Sequence, residues 1–372
     1  MTDTAKDLDV NIDYCRGRQQ RLQEVMRAKD LDLVIVNRHE HVQWLVGPRF
    51  YWTFEPAAAL SIDGRATLVA PTVTFKDVAA DEVLGYPSNQ YSTLRNDQRQ
   101  SSSAVLLKAL SAGKKPRRVG VEFSSFGPHL AGPLGAELID IEPDLYQLRR
   151  RKDPDELAKL RKAIAGTGAM YALAREIIEP GVNELDVFNQ LQGAAVRSFG
   201  EMMTATGNDY QSGSKGGPPR DRQAEAGELY ILDLGPAFRG YFADNCRTIA
   251  VDGRPTDDQL RAWQKITEVF TLIERMVKPG VRCQDVFNAT QTLLDEYRPG
   301  CFDHHLGHGI GLYPHEAPHL NPTWDDSFEV GDVFTAEPGL YGPELRAGIR
   351  LENDYLVTDR GVELLSDIPL EL

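Results

Sequence analysis

Hydrophobic residues near the start of the chain follow a helical pattern and then a strand pattern. In segment 16–29 they recur at Leu22, Val25 and Met26, which is the spacing of a surface helix with one buried face. Segment 31–36 is short, mostly apolar and rich in branched side chains, so it predicts a buried strand.

Two later segments carry β-type patterns. Segment 59–70 places Asp63 and Gly64 between two β-prone arms, which predicts a hairpin. Segment 118–122 is a further strand candidate. Because helices and strands alternate through this region, residues 1–147 are predicted to form an α/β domain of their own.

A charged segment marks the start of a second predicted domain, 148–372. Its basic run, 149–152, is interpreted as a solvated linker. Asp153 can cap the helix that follows, with Pro154 at the first helical position and Glu156 completing a capping box.

The second domain contains an internal repeat. Residues 180–189 (PGVNELDVFN) recur as 279–288 (PGVRCQDVFN), identical at seven of ten positions, although a shared helix-capping motif could explain part of this identity. Each copy follows a segment of helical character, 155–178 in the first case and 257–277 in the second. Each copy also precedes strand-like segments that hold two acids. The repeat therefore predicts a duplicated unit of two helices and a strand pair, with four acids around a pseudo-twofold axis.

Asp233 and Asp244 are the two acids of the first copy. They lie in or beside the strand-like segments 230–234 and 241–251, which turn residues separate, and this pattern predicts an antiparallel hairpin. A carboxylate inside an apolar strand is costly to bury unless a positive charge pairs with it, and a divalent cation is the usual partner in such a site. For the hairpin alone, two ordinary salt-bridged acids are an equal alternative.

Three more potential metal ligands follow in the chain. His308 stands among glycines, and Glu337 and Glu352 each lie in a later strand-like segment. Together with Asp233 and Asp244 they form a hard, oxygen-rich donor set. Such a set suits Mn²⁺, Co²⁺ or Fe²⁺, with Zn²⁺ as a further alternative, better than a metal that selects thiolates.

The order of these motifs resembles that of one family. Two aspartates with ten residues between them precede Gly-His-Gly-Ile-Gly at 307–311, His315-Glu316, Glu-Pro-Gly at 337–339 and Arg350-x-Glu352. This order is similar to that of the pita-bread metallopeptidases, which include aminopeptidase P, prolidase and their creatinase-like relatives. The resemblance covers roughly the last 220 residues strongly and the first 150 weakly. It implies an α/β (α+β) fold, in which a creatinase-like N-terminal domain precedes a pita-bread domain made of duplicated helix-helix-strand-pair units.

The resemblance also implies a role for each of the five ligands. Asp233 would hold one divalent ion, His308 and Glu337 would hold the other, and Asp244 and Glu352 would bridge both. Two metal ions are therefore expected, with Mn²⁺ favoured and Co²⁺, Fe²⁺ or Zn²⁺ as alternatives.

Further residues match the family's catalytic and substrate-binding positions. Glu337 would be the proton carrier, and His315 matches a histidine that contacts the substrate carbonyl or the tetrahedral intermediate. Arg350 matches an arginine that supports the bridging glutamate, and it is counted with His315 among the predicted substrate-binding residues. His305, also counted there, could line the pocket, as could His304, although a packing or surface role is an equal alternative for each.

One segment departs from the family pattern. In aminopeptidases of this family a histidine lies about 17 residues before the first metal aspartate, whereas segment 213–220 (GSKGGPPR) contains none. Lys215 is the predicted substitute as a substrate-binding cation, but its ammonium lacks the near-neutral pKa of an imidazole. The metal site is therefore expected to be intact and the substrate site altered.

Composition narrows the range of partners and locations. The 55 Asp and Glu against 41 Lys and Arg give a net charge of −14, which argues against nucleic-acid binding. The N-terminus lacks a signal-peptide pattern and no apolar run reaches the roughly 20 residues that cross a bilayer, so no membrane partner is expected. The four scattered cysteines indicate reduced thiols in a cytoplasm, and Cys301 is expected as a buried apolar residue rather than a soft metal ligand. A homodimer is implied by the resemblance alone.

Three functions follow from these observations. The leading hypothesis is a dimetal hydrolase that cleaves an amide bond in small Xaa-Pro peptides, like prolidase or aminopeptidase P. The second keeps the fold but acts on a small non-peptide metabolite by hydrolysis or lysis, as creatinase-like and ectoine-hydrolase-like relatives do. The third is a non-catalytic binding module, which the five retained ligands oppose because buried carboxylates without a metal cost on the order of several kcal/mol.

Overall fold

The computed structural model of the chain describes residues 8–88, 95–125, 128–207 and 209–372. These residues divide into two compact units between Arg149 and Arg150, two residues beyond the boundary that the sequence predicts. None of the helices within the described ranges is long and apolar enough to cross a membrane.

The first unit is an α/β domain built on one six-stranded sheet. Its elements in chain order are α1 Ile12–Ala28, β1 Leu33–Val36, α2 His39–Val46, β2 Ala57–Ser61, β3 Ala66–Ala70, β4 Glu82–Gly85, α3 Arg95–Leu110, β5 Arg118–Val121, α4 Pro128–Leu134, β6 Glu137–Asp140 and α5 Glu142–Arg150. The strand order is β4-β3-β2-β1-β5-β6. The sheet is mixed, because β1 pairs in parallel with β5 and antiparallel with β2.

The elements predicted for this unit are confirmed. Helix α1 contains most of the predicted helix; the Asn11 side chain accepts a hydrogen bond from the Tyr14 N–H at its start (3.1 Å), and Leu22 and Met26 are fully buried. Strands β1 and β5 lie in the two predicted strand segments. Strands β2 and β3 form the predicted hairpin, where Gly64 has a φ of +94°, a conformation that glycine adopts without Cβ strain.

The basic run 149–152 is not the solvated linker that its local pattern predicts. Three of its four cations are buried and each has a polar partner: Arg149 donates to His41 (3.0 Å), Arg150 to Asp332 (2.7 Å) and Lys152 to Glu316 (3.3 Å). These partners lie 108, 182 and 164 residues away along the chain, so no local window reveals them. Buried charges need such partners because desolvation otherwise destabilises the folded state.

The second unit carries the remaining elements. In chain order they are α6 Pro154–Ile177, α7 Glu184–Phe199, β7 Asp209–Ser212, β8 Leu229–Leu234, β9 Ala237–Phe238, β10 Tyr241–Phe242, β11 Asn245–Ala250, α8 Asp257–Met276, α9 Cys283–Asp295, β12 Gly307–Gly309, β13 Glu316–Leu320, β14 Val333–Ala336, β15 Gly339–Gly342, a 3-10 helix Pro343–Leu345, β16 Ala347–Arg350, β17 Asn353–Val357 and β18 Val362–Leu364.

This unit contains the same order of elements twice, as the sequence repeat predicts. In the first copy, α6 and α7 precede β8, which pairs antiparallel with β11 around the β9–β10 hairpin. In the second copy, α8 and α9 precede β14, which pairs antiparallel with β17 around the β15–β16 hairpin. The larger sheets have the orders β11-β8-β7 and β13-β12-β14-β17-β18. The predicted duplication of a helix-helix-strand-pair unit is therefore confirmed.

The two copies begin with equivalent helix caps. Glu156 accepts a hydrogen bond from the Asp153 N–H (2.9 Å) at the start of α6, which completes the predicted capping box beside Pro154. Thr256 and Gln259 form the same kind of box at the start of α8. Each box satisfies backbone N–H groups that the first helical turn leaves without intrahelical partners.

Each copy also has a hydrophobic core of its own. Side chains of α6 and α7 pack with those of β8 and β11 in one cluster, in which Tyr171, Leu191 and Leu232 are fully buried. A second cluster joins α8 and α9 to β14 and β17 and includes Phe334 and Cys301. Cys301 is thus a buried apolar residue, as the sequence suggests, and the strand ends between the two cores are left to polar side chains.

Candidate metal centre

The five predicted metal ligands come together at strand ends in the second unit. Asp233 lies in β8, Asp244 directly precedes β11, His308 lies in β12, Glu337 directly follows β14 and Glu352 directly precedes β17. Asp233 and Glu337 therefore occupy similar places in the two copies of the repeat, as do Asp244 and Glu352. All five line one cavity of about 410 Å³.

Two glycines allow β12 to carry its histidine into this cavity. A Cβ at Gly307 would overlap the Thr335 carbonyl oxygen, and a Cβ at Gly309 would overlap the Ala317 carbonyl oxygen. Strand β12 can therefore fit closely between β13 and β14. The glycines beside His308 therefore permit close approach of neighbouring strand backbone.

His308 points its outer nitrogen at two of the acids. Its Nε2 lies 3.5 Å from Glu337 Oε1 and 3.8 Å from Asp244 Oδ2. Its Nδ1 lies 3.1 Å from the Gly309 carbonyl oxygen, which can only accept, so Nδ1 carries the proton and Nε2 presents its lone pair to the cavity. Burial lowers the pKa of His308 to about 4, which keeps the ring neutral at neutral pH. This is the state that a metal-ligating histidine requires.

The acids leave buried oxygen atoms without donors. Asp233 Oδ1, Asp244 Oδ1 and Glu352 Oε2 have no hydrogen-bond donor within the described part of the chain. One potential ligand atom from each of Asp244, His308 and Glu352 lies within 4.8 Å of the other two. Buried anionic oxygens without donors destabilise the fold, and a bound cation offsets that cost. The oxygen-rich donor set therefore fits hard divalent ions.

The pKa values of three of the acids show how strongly these charges interact. Burial, together with the neighbouring carboxylates, raises the pKa of Asp244 and of Glu352 well above the usual carboxyl range. Burial also raises the pKa of Asp233, although the charge of Arg350 opposes this shift. A divalent cation would reverse all three shifts, because it favours the ionised form of every acid around it.

Glu337 differs from the other three acids. Burial alone would raise its pKa, but a hydrogen bond from His305 and the charges that His308 and His305 carry when protonated outweigh burial and lower the pKa of Glu337 to about 2. The His305 Nε2 lies 2.7 Å from Glu337 Oε1, and this bond raises the pKa of His305. Of the alternatives that the sequence leaves open, the structure places both His305 and His304 on the cavity wall.

His315 lies beside His308 on the cavity wall. Its ring stacks on that of His308, with centroids 3.7 Å apart and planes 13° apart. It lines the cavity and is itself exposed to solvent. An exposed imidazole in this position can reach a molecule that enters the cavity.

Arg350 is tied to Asp233 rather than to the bridging glutamate that the resemblance implies. Its Nη2 donates to Asp233 Oδ2 at 2.9 Å and also to the Asp209 carboxylate. Its Nη1 donates to the Tyr341 hydroxyl at 3.2 Å. The reason is that β16 packs beside β8, which brings the guanidinium to an acid of the other copy of the repeat.

Lys215 lies on the exposed side of the cavity. Its Nζ is 3.1 Å from Asp303 Oδ2 and 5.0 Å from the centre of the Tyr341 ring. The two side chains of the ion pair are 60% and 54% exposed, so water screens their attraction. Lys215 can therefore exchange Asp303 for an anionic group of a bound molecule at little cost.

Three polar residues of the cavity wall were not predicted from the sequence: Asp209, Asp303 and Tyr341. Tyr341 lies in β15, which begins two residues after Glu337, so its closeness in the chain to a predicted ligand is the sequence signal for it. Asp209 reaches the site because β7 pairs with β8, and Asp303 because the segment before β12 passes the cavity. Neither acid carries a local sequence signal of its position.

Comparison with known protein families agrees with this site. Residues 158–359 match metallopeptidase family M24, and residues 18–151 match the creatinase/prolidase N-terminal domain. A curated relative, an uncharacterized peptidase of Staphylococcus aureus, is 28% identical over 352 residues, which cover 89% of this chain and 95% of the relative.

Solved structures share the fold over nearly the whole chain. The prolidase of Pyrococcus horikoshii has a TM-score of 0.80 at 24% identity, and the match covers 96% of this chain and 99% of that chain. An X-Pro aminopeptidase of Thermotoga maritima has a TM-score of 0.79 at 22% identity, covering 95% and 98%. The predicted architecture, a creatinase-like domain followed by a pita-bread domain, is confirmed. With a family match over more than half of its length and the ligand cluster at its cavity, the chain belongs to metallopeptidase family M24 and is a metal-dependent hydrolase.

Proposed function

We propose that this protein is a dinuclear-metal peptidase that cleaves the amide bond of Xaa-Pro dipeptides or releases the first residue of short Xaa-Pro peptides. The observation that carries the proposal is the cluster of four acids and one histidine on one cavity wall, with three buried carboxylate oxygens that lack donors in the described chain. A cavity of about 410 Å³ suits a substrate of a few residues. The Xaa-Pro preference rests on the names of the structural neighbours, a prolidase and an X-Pro aminopeptidase.

Each ligand has a proposed place. Asp233 would hold one ion, His308 and Glu337 would hold the other, and Asp244 and Glu352 would be ligands of both. Two divalent ions in this site would supply activation of a water and polarisation of the scissile carbonyl. Mn²⁺ is the proposed ion, with Co²⁺, Fe²⁺ or Zn²⁺ as alternatives, because the donor set is rich in hard oxygen atoms.

The other steps, which are proton transfer, stabilisation of the substrate carbonyl and substrate binding, are assigned to side chains of the protein. We assign proton transfer to Glu337, whose bond to His305 keeps the carboxylate ionised and able to accept a proton from the attacking water. His315 stands beside His308 on the cavity side, where it can donate a hydrogen bond to the substrate carbonyl as that oxygen gains negative charge. Lys215 is the proposed contact for an anionic group of the substrate. Arg350 is buried against Asp233, so its proposed role is to hold that ligand.

The test is a panel of Xaa-Pro dipeptides and Xaa-Pro-Xaa tripeptides, offered to protein that carries a measured amount of Mn²⁺. Cleavage of the dipeptides alone would establish a dipeptidase, and cleavage of the tripeptides after the first residue would establish an aminopeptidase. Protein that binds two ions and cleaves neither series would contradict the peptide part of the proposal. The Asp244→Asn variant serves as the matched control, because it removes the negative charge of one proposed ligand at nearly constant shape.

A second candidate is hydrolysis or lysis of a small non-peptide metabolite at the same site. The observation that favours it is segment 213–220, which has Lys215 and three glycines but no histidine beside the cavity. Turnover of a dipeptide series at ordinary peptidase rates would argue against it. A binding module without catalysis is disfavoured, because the buried acids would then destabilise the fold without a function.

Three further expectations are carried forward as proposals. The resemblance supports a homodimer, the cysteine usage supports a cytoplasmic location, and the acidic balance of −14 supports small substrates rather than nucleic acid. Sedimentation of the purified protein would test the first of these directly.

A further inference from the structure

A fifth carboxylate, Asp209, faces the metal-ligand cluster without belonging to it. Asp209 begins β7, and the antiparallel pairing of β7 with β8 places it directly opposite Asp233. Like charges directly opposite each other on neighbouring strands repel. The arrangement therefore needs a cation between the two acids.

Arg350 is that cation. Its Nη2 donates both to the Asp209 carboxylate and to Asp233 Oδ2, the latter at 2.9 Å. Because one N–H-bearing nitrogen serves two anions, the guanidinium stands between the acids rather than on either alone. Asp233 Oδ1 is left without a donor in the described chain, and it is the oxygen free to face an ion.

Asp209 also anchors the segment that lacks the family histidine. Its Oδ1 accepts a hydrogen bond from the Gly217 N–H at 2.7 Å, and the Lys215 carbonyl oxygen accepts one from Arg350 Nη1 at 3.4 Å. A Cβ at Gly216 would overlap the Asp209 carboxylate, and the φ of +138° at that glycine strains any other residue. The Asp209 carboxylate thus occupies the space that a side chain at position 216 would need.

We propose that Asp209 is a positioning residue, which keeps the Arg350 guanidinium between itself and Asp233 and so links the backbone of segment 213–220 to the metal site. The inference rests on the ligand assignment of the proposed function. When Asp209 is present, the positive charge of Arg350 is divided between two acids. Asp233 then keeps enough negative charge to bind an ion. Without Asp209, Arg350 pairs with Asp233 alone, and its positive charge repels a metal ion bound there. Segment 213–220 also loses the hydrogen bond from Gly217 to Asp209.

The test compares metal binding by wild type, Asp209→Asn and Asp303→Asn. Asp303 is the matched control because it lines the same cavity and pairs with Lys215 but is not a partner of Arg350 among the described contacts. Titration calorimetry with Mn²⁺ gives the dissociation constant, and the visible absorption spectrum of Co²⁺-loaded protein reports ligand geometry. We expect Asp209→Asn to weaken binding by about 10- to 100-fold and to change the Co²⁺ spectrum, while Asp303→Asn stays within about threefold of wild type with an unchanged spectrum.

A second variant tests the anchoring part. Asp209→Ala removes the acceptor for the Gly217 N–H as well as the charge, so brief trypsin treatment should cut after Lys215 faster than in wild type or in Asp303→Asn. Asp209 variants that bind Mn²⁺ within about threefold of wild type, with the wild-type Co²⁺ spectrum, would overturn the inference and leave the proposed function untouched. Equal losses in Asp209→Asn and Asp303→Asn would also overturn it, since charge alone would then explain both. A wild-type protein that binds no divalent ion would overturn the proposed function and this inference with it.

Discussion

The ligand cluster and segment 213–220 face the same cavity, yet they differ in how the chain holds them. The five proposed ligands are at most 8% exposed and lie at the ends of paired strands. Segment 213–220 contains no strand in the described structure, has positive φ at Gly213, Gly216 and Gly217, and exposes the Lys215 side chain by 60%.

This difference separates two kinds of constraint. Buried acids must have a cation or lose stability, so electrostatics fixes the identity and place of each ligand. An exposed lysine on a glycine-rich segment needs no partner of opposite charge to remain stable, because water screens its charge. We therefore expect the five proposed ligands to determine the type of reaction and segment 213–220 to determine which substrate is bound.

The largest effect is expected from removing a bridging ligand. Asp244→Ala and Glu352→Ala should each lower kcat/KM for an Xaa-Pro dipeptide by at least about a thousandfold, because each variant removes a proposed ligand of both ions. Circular dichroism should show a folded chain in both cases. Asp359→Ala, whose side chain is 81% exposed, is the control and should keep wild-type activity. Full activity in either ligand variant would mean that the assignment is wrong.

A smaller loss of activity is expected when His305, the hydrogen-bond partner of the proposed proton carrier Glu337, is replaced. His305→Ala removes the hydrogen bond that keeps Glu337 ionised, so kcat should fall by about a hundredfold with little change in KM. His319→Ala is the matched control, since His319 pairs with Asp326 and is not among the cavity-lining residues that the structure describes. Equal kinetics of the two variants would refute the assigned role of His305.

Stability of the metal-free protein should depend on pH in a direction set by the buried acids. The pKa of Glu352 is raised in the folded state, so its contribution to stability is complete below its unfolded pKa and is lost as pH rises through the folded pKa. Metal-free Glu352→Gln should therefore be more stable than metal-free wild type at alkaline pH, by about 1–3 kcal/mol.

Urea unfolding of both proteins across the pH range measures this difference. Wild type should lose stability as the pH rises above the usual carboxyl range, and Mn²⁺ should restore it. Glu352→Gln should lose less and gain less from Mn²⁺. Superimposable pH profiles for the two metal-free proteins would contradict the account of the cluster as a set of uncompensated charges.

The smallest effect is expected on the exposed side of the cavity. Lys215→Gln should raise KM for a free dipeptide by about fivefold or less and leave kcat unchanged, because an exposed ion pair contributes about 1 kcal/mol at most. The C-terminal amide of the same dipeptide should show no change if Lys215 contacts the carboxylate. Lys278→Gln, at an exposed site elsewhere, is the control. A change in kcat rather than KM would place Lys215 in the chemical step.

The sequence predicts which five residues the structure brings together at the cavity, because the signals are local. His308 sits among glycines that the strand packing requires, and the repeat places an acid of each copy at similar strand ends. The same is true of the helix caps at Asp153 and of the hairpin at Gly64, since both depend on residues adjacent in the chain.

Contacts between distant segments could not be predicted in this way. The neighbours of Arg150 in the sequence predict a solvated basic run. In the structure Arg150 instead donates a hydrogen bond to Asp332, which lies 182 residues further along the chain. Nothing in the sequence around Asp209 distinguishes it from an ordinary polar residue. Only the pairing of β7 with β8 places it opposite Asp233. The register of non-local strands decides these contacts, and no short sequence window contains it.

The most direct test of the central claim is a titration of metal-free protein with Mn²⁺, in which hydrolysis of one Xaa-Pro dipeptide is measured against the number of ions bound. The account predicts no hydrolysis before Mn²⁺ is added and a plateau when two ions are bound per chain. Full hydrolysis after complete removal of metal, or two bound ions with no hydrolysis at all, would contradict it.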